Sequence, residues 1–201
     1  MEQTKEVYYW SLYELAAALN SARSPDSILR SIVEGVAKAT GSKGCSLMLL
    51  SPDRKTLLHT VAYGLSNWYV KKGPVSADKS ISEALQGKPV AVLEATKDDR
   101  IQYREQAKKE GIASILSVPM MLREETLGVI RVYTSEPYHF TMDDMYFVGA
   151  VANLGAIALE NARLYEATQK DYETFRRDML EWRAALGQEW KLGEAVTPSE
   201  D

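Results

Sequence analysis

Tyr8, Leu12, Leu15 and Leu19 recur at intervals of three and four, the spacing that places side chains on one stripe of a helix. The run closes at Ser24-Pro25-Asp26, where a serine N-cap, a proline at the first helical position and an acid in the first turn open a second helix. Ile28, Ile32, Val36 and Ala39 form the apolar stripe of that helix, and Gly41 ends it. From Gly44 to Ser51 the period changes to two. Cys45, Leu47 and Leu49 alternate with Ser46, Met48 and Leu50, so both faces are largely apolar and a central strand covered on both sides is predicted. Ser51-Pro52-Asp53-Arg54 supplies turn chemistry, and Thr56 to Tyr63 completes a hairpin.

Gly64 to Gly87 is less regular, with Gly64, Gly73 and Pro74 around Trp68-Tyr69; it reads as a loop, a short strand and a small helix over Ser80 to Gln86. Pro89 to Leu93 predicts a short strand, and Asp98 to Glu110 a charged helix closed by Gly111. Ser114 to Leu122 and Leu127 to Thr134 form a second hairpin across Arg123-Glu124-Glu125-Thr126. Pro119 lacks a ladder donor and belongs at an edge position or a bulge. Thr141, followed by Asp143 and Asp144, caps the start of a long helix and puts two acids in its first turn.

Within that helix Phe147, Val151, Leu154, Ala158, Asn161, Tyr165, Thr168, Tyr172, Phe175, Met179, Trp182 and Leu186 alternate steps of four and three, a heptad seam of roughly 40 residues. Beyond about Glu166 little sheet remains for such a seam to cover. The organisation expected is one domain over residues 1–166, a helical or coiled-coil extension over 167–190 and a disordered tail over 191–201.

A net charge of −4 leaves no overall positive field, which argues against nucleic acid as a direct partner. Lys170, Arg176, Arg177 and Arg183 share their helix with Asp171, Glu173, Asp178 and Glu181, the mark of a solvated mixed-charge face. Cys45 is the only cysteine, so an internal disulfide cannot form and a reducing cytoplasmic setting is expected. The first residues lack the pattern of a secretory signal. The longest charge-free stretch, Met145 to Leu159, is shorter than the roughly 20 residues a membrane helix needs.

Four blocks carry a family resemblance: Gly111-Ile112-Ala113-Ser114-Ile115-Leu116-Ser117-Val118-Pro119-Met120, Leu127-Gly128-Val129-Ile130, Phe140-Thr141 with Asp143-Asp144, and Ala158-Leu159-Glu160-Asn161-Ala162-Arg163-Leu164-Tyr165. With the order of elements, they resemble the GAF domain, a relative of PAS sensory domains, over about Leu12 to Glu166. The resemblance implies an α+β fold, an antiparallel sheet flanked by helices on both faces. It also implies a ligand pocket between the sheet and the segment Gly64 to Gly111, and dimerisation through the terminal helices. The Asn-Lys-Phe-Asp-Glu set of cyclic-nucleotide-binding relatives is not found in this chain. Bilin-binding relatives attach chromophore through a cysteine followed by histidine, whereas Cys45 precedes Ser46. The methionine-sulfoxide reductases of the family exchange thiols among several cysteines, and one cysteine cannot form their disulfide.

The residues offer few catalytic groupings. Cys45 alternates with leucines and has no basic neighbour in sequence to lower its pKa, so it reads as a small buried hydrophobe. His59 and His139 are far apart and lack metal-ligand spacing with Asp, Glu or Cys; His59 alternates with Leu57 and Val61 as an ordinary strand residue. Asp98 can meet a polar ligand or, like Asp99, cap the following helix, and Tyr103 can close over a ligand or cover the sheet. Ser80-Ile81 can bind a ligand at a helix start or simply cap it. Ser114, Leu116 and Tyr133 complete the candidate pocket, with strand parity open to a one-residue error.

The function expected is a non-catalytic sensor that holds a small molecule without covalent attachment or cofactor. It would relay the signal through its terminal helices to a separate signalling protein such as a kinase or regulator. A homodimer is expected, with Leu12, Asn161, Tyr165, Tyr172, Phe175, Met179, Trp182 and Leu186 at its interface. The rival reading is a ligand-free dimerisation or docking scaffold. The two differ in whether a cavity with convergent polar groups exists under the Gly64 to Gly111 segment.

Overall fold

The computed structural model describes residues 2–21, 25–77 and 82–193; the side chains at 2, 20, 21, 25, 166 and 183–193 are left aside. Two helices lead the chain, α1 (Glu2–Ser21) and α2 (Pro25–Ala39), followed by β1 (Gly44–Leu50) and β2 (Thr56–Tyr63). A connecting stretch then carries α3 (Asn67–Val70), β3 (Val75–Ser76), α4 (Ser82–Leu85), β4 (Val90–Val92) and α5 (Arg104–Glu110). The hairpin β5 (Ser114–Leu122) and β6 (Glu125–Thr134) precedes the long α6 (Met142–Gly193). The six strands form one sheet in the order β3-β2-β1-β6-β5-β4, and every pairing is antiparallel. The α+β expectation of hairpin-built strands is met.

The two-sided apolar character of β1 decides the layering. Cys45 and Leu47 point to one face, where they pack with Leu116, Val118, Met120, Ile130 and Val132 against Leu15 of α1, Leu29, Ile32, Val33 and Val36 of α2, and Phe147, Val148 and Val151 of α6. Each such side chain contributes about 1.5–3 kcal/mol when fully buried. On the other face Met48, Leu57 and Val129 pack with Val75, Ala84 and Val90, while Ile115 and Tyr133 pack with Tyr69, Ile101 and Ala107. The segment from α3 to α5 therefore covers the second face of the sheet.

Several local expectations need adjustment. The helix predicted from Asp98 begins only at Arg104, with Tyr103 as N-cap and no side-chain cap bond. Asp98 instead accepts from its neighbour's backbone, Arg100 N, at 2.9 Å, a local turn that competes with the helix. Neither Asp98 nor Asp99 caps α5. Gly111 closes it in the left-handed conformation, φ 72°, as its position predicted. Thr141 does cap α6: its Oγ1 accepts from Asp144 N at 3.2 Å, and Asp144 Oδ2 accepts from Thr141 N at 2.6 Å. β4 reaches along β5 only to Ser117, so no strand lies on that side at Pro119.

The chain divides into two units, Met1–Leu159 and Glu160–Asp201. α6 contains a stretch long and apolar enough to span a bilayer by length and composition, but its first turns, with Phe147, Val148, Val151 and Ala152, are core of the first unit. In the second unit Tyr165, Tyr172, Phe175, Met179 and Trp182 are exposed on the helix. Backbone helix continues to Gly193, past the expected start of the tail at 191, and residues 194–201 lie outside the described residues.

Candidate ligand-binding site

The covered second face of the sheet holds a row of polar side chains. A register shift between Leu47 and Met48 sets Met48 opposite His59, which turns the imidazole to the same face as Leu57. Ser46 stands opposite Arg131, and Arg131 stands opposite Ser117, so three adjacent strands contribute neighbours to one line. Arg131 is 4% exposed and donates from Nε to Ser117 Oγ at 3.0 Å. The hydroxyls of Ser46 and Tyr133 lie 2.9 Å apart, and the Tyr69 ring meets Tyr133 edge-on at 6.1 Å.

The cap segment brings Lys72 onto this row. α3 is started by Ser66, whose Oγ accepts from Tyr69 N at 3.3 Å, and Ser66 is in turn anchored through its N–H to Glu110 Oε1 at 2.8 Å. The Ser66 hydroxyl also donates to Glu110 Oε2. Gly73 follows at φ 122°, where a Cβ would stand 2.8 Å from the Tyr103 hydroxyl. That hydroxyl donates to Pro74 O at 2.9 Å, and Gln102 Oε1 accepts from Ser76 N at 2.7 Å. Lys72 Nζ thereby sits 2.9 Å from His59 Nε2, 3.7 Å above the Tyr69 ring and 3.1 Å from Tyr69 O.

Several positive groups crowd this site. Burial and the nearby Arg131 guanidinium push Lys72 down to about 7, partly offset by Glu110. Burial, Lys72 and Arg131 together push His59 down to about 3. Burial raises the Tyr69 and Tyr133 phenols, which stay neutral. When Lys72 is an ammonium it donates to His59 Nε2, so Nδ1 carries the imidazole proton. His59 Nδ1 is buried and has no hydrogen-bond partner among the described residues.

The expected pocket residues fall in different places. Tyr133 lies on the covered face among Tyr69, Ile101 and Ile115, and Tyr103 packs half-buried against the separate Met48, Leu57 and Val75 cluster of that face. Leu116 is on the opposite, helix-packed face, so the structure does not bring it together with Tyr133. Ser114 is buried at the start of β5, donating to Leu93 O at 2.6 Å and accepting from Tyr138 N at 2.9 Å. Asp98 forms a bidentate pair with Arg100, Oδ2 to Nη2 at 2.7 Å, which holds its carboxyl below the usual range. Ser80 and Ile81 lie outside the described residues. Of the interface candidates, Leu12 is half-buried against its own core, Asn161 is exposed, and the Leu186 side chain is outside the description.

Arg131 and Lys72 escaped the sequence reading. A lone arginine inside Val129-Ile130-Arg131-Val132-Tyr133 was the available signal, since a charge in an otherwise apolar strand must find a partner. Nothing local links Lys72 to His59. Two open crevices lie elsewhere, about 250 Å³ beside Ser42, Thr134 and Tyr138, and about 190 Å³ between Tyr9 and Tyr146. No cluster of three metal-ligating side chains occurs among the described residues.

Comparison with known proteins gives the family. A methyl sulfide methyltransferase-associated sensor of Methanosarcina acetivorans is 26% identical over 163 residues, which is 78% of this chain and 16% of that protein. The chain thus spans about a sixth of that relative's length. The GAF domain of a phosphoenolpyruvate-protein phosphotransferase from Coxiella burnetii superposes with TM-score 0.73 at 19% identity, covering 81% of this chain and 98% of that one. The free methionine-R-sulfoxide reductase of Neisseria meningitidis, solved with its substrate, superposes with TM-score 0.67 at 15% identity, covering 80% of this chain and 93% of the other. At these identities the two structures share a fold with it, and shared chemistry does not follow. The profile described as GAF domain matches residues 22–160, most of the first unit, and the chain belongs to the GAF domain family.

Proposed function

We propose that this protein is a non-catalytic sensor module that binds a small molecule noncovalently on the covered face of its sheet and passes the signal through its terminal helices to a separate partner. GAF domains form a sensory family whose members often bind small molecules, and the Methanosarcina relative is named as a sensor. The observation that carries the reading is the half-buried Lys72–His59 pair beside the buried Arg131. Polar groups are costly in such a position, and a filled scaffold core would be expected to hold apolar side chains there. Cys45 is buried, with its thiol pushed up by desolvation, which speaks against thiol exchange of the kind its reductase relatives use.

The setting we propose is cytoplasmic, and the assembly a homodimer joined along the α6 seam. Tyr172, Phe175, Met179 and Trp182 are 62%, 63%, 46% and 61% exposed, and each would contribute about 1.5–3 kcal/mol if a partner helix buried it fully. Asn161 is placed to favour register and two-stranded pairing.

A thermal-shift screen of the full chain against metabolites tests the binding reading, because a ligand selective for the folded state must raise its stability. At least one compound should give a saturable rise. If none does while the protein is dimeric, the scaffold reading replaces it. For the dimer, sedimentation of wild type against Phe175→Glu/Met179→Glu is decisive: a monomeric wild type, or an unweakened variant dimer, removes the case for the seam.

A further inference from the structure

The crevice of about 250 Å³ lies where two loops meet the start of α6, and Phe140 in its lining packs against the helix-side core rather than the covered face. Residues 40–43, between α2 and β1, form one wall, and residues 134–138, leading from β6 towards α6, form the other. Each wall carries one uncommitted charge. Lys43 is half-buried on the first and Glu136 is exposed on the second, and neither side chain has an ion-pair or hydrogen-bond partner among the described residues. The remaining charged group of the lining, Asp144, is 2% exposed and already answered: it accepts from the hydroxyls of Tyr8, Tyr138 and Thr141 and from Thr141 N. The rings of Tyr138 and Phe140 meet edge-on at 5.2 Å and give the lining an apolar part.

Opposite charges on two facing walls that do not pair with each other fit a molecule that carries both charges itself. A simple anion drawn to Lys43 is repelled by Glu136 and Asp144, and a simple cation drawn to Glu136 is repelled by Lys43; a zwitterion has an attractive partner at each end. We infer that the crevice is a second ligand site, for a free amino acid whose carboxylate docks against Lys43 and whose ammonium docks against Glu136, with its side chain against Tyr138 and Phe140. The volume lies just below the roughly 300–1,000 Å³ of sites for drug-sized ligands, which suits an occupant of this size. The site is separate from the Lys72 row and does not depend on it. Its position gives an occupant a short path to the terminal helices. Tyr138 Oη donates to Asp144 Oδ2 at 3.1 Å and Tyr8 Oη donates to Asp144 Oδ1, so a ligand against Tyr138 bears on the contact that joins α1 to α6.

The test titrates the full chain near neutral pH, at constant ionic strength, with L-alanine, L-serine, L-valine and L-leucine. Each is set beside the amine that lacks its carboxylate and the acid that lacks its amino group. At least one amino acid should raise the melting temperature by a saturable few degrees, while its two single-charge analogues do not at the same concentration. Lys43→Met and Glu136→Gln, both on loops outside the core, should each weaken binding about tenfold or more. In ¹⁵N spectra of the backbone the bound amino acid should shift the amides of Ser42 and Glu136. The inference falls if none of the four binds, if either single-charge analogue binds as tightly, or if either variant binds unchanged. A metabolite whose binding is lost in Lys72→Met and kept in both loop variants sinks the crevice site and leaves the covered-face reading standing. An amino acid that requires Lys43 and Glu136 but not Lys72 supports the crevice alone.

Discussion

The hydroxyl of Tyr8 donates to Asp144 Oδ1 at 2.5 Å, joining two residues 136 positions apart. The Tyr8 ring also stacks on Phe147 at 4.3 Å and 7°, and Asp144 accepts from Tyr138 Oη at 3.1 Å as well as from its own cap residue Thr141. The contact fastens α1 to the first turn of α6. Tyr8→Phe keeps the stacking and removes one donor from a buried carboxylate, which should cost about 1.5–3 kcal/mol. Urea unfolding reads this as a lower midpoint with unchanged slope; a change within about 0.5 kcal/mol would show that the bond contributes little.

Gly128 lies opposite Leu49 on one side and Met120 on the other, and a Cβ there would run into the backbone oxygen of Met48 and stand 3.1 Å from Leu49 Cα. Backbone cannot swing aside as a flexible side chain can. Gly128→Ala should therefore destabilise by about 3 kcal/mol or more, or prevent folding. Gly41→Ala is the control: it meets nothing within 4 Å at φ 58° and should cost only about 1 kcal/mol. Circular dichroism melts of the pair check the contrast.

Cys45 is fully buried between strands, and burial pushes its thiol well above the ordinary range. Native protein should react with a thiol reagent only as fast as it unfolds, while denatured protein reacts at once. Rapid native modification would contradict the assigned packing of β1.

Stability should rise with pH in two windows. His59 is lowered from 6.5 to about 3 and Lys72 from 10.5 to about 7, so between each pair of values the unfolded chain binds a proton that the folded chain does not. Stability is thus lost as pH falls from 6.5 towards 3, and gained from about pH 7 towards 10.5. Lys72→Met should flatten the upper window and move the His59 midpoint upward, since Lys72 is one cause of its depression. Unfolding across pH and an imidazole NMR titration measure the two effects.

The elements whose signals are local could be read from the chain itself. The strands Thr56–Tyr63 and Ser114–Leu122 match their predicted spans because alternation and turn residues act over a few positions, whereas β6 starts at Glu125, two residues before the predicted Leu127. The Thr141 cap and the Gly111 stop are legible for the same reason. The helix predicted from Asp98 fails where two local signals compete, since the Asp98 carboxylate prefers its own Arg100 neighbour to a helical turn. Whether Leu116 and Tyr133 share a face depends on parity across a paired hairpin, a matter of register. The candidate site is less legible still. Its charge arises because β6 sets Arg131 beside Ser46 and Ser117, and because a cap anchored through Glu110 and Tyr103 lowers Lys72 onto His59. Patterning specified the strands and helices through near-neighbour chemistry; the meeting of Lys72, His59 and Arg131 was decided by the tertiary structure, because only the paired sheet and its cap bring groups distant in sequence within range of one another and partly shield them from the water that would screen them.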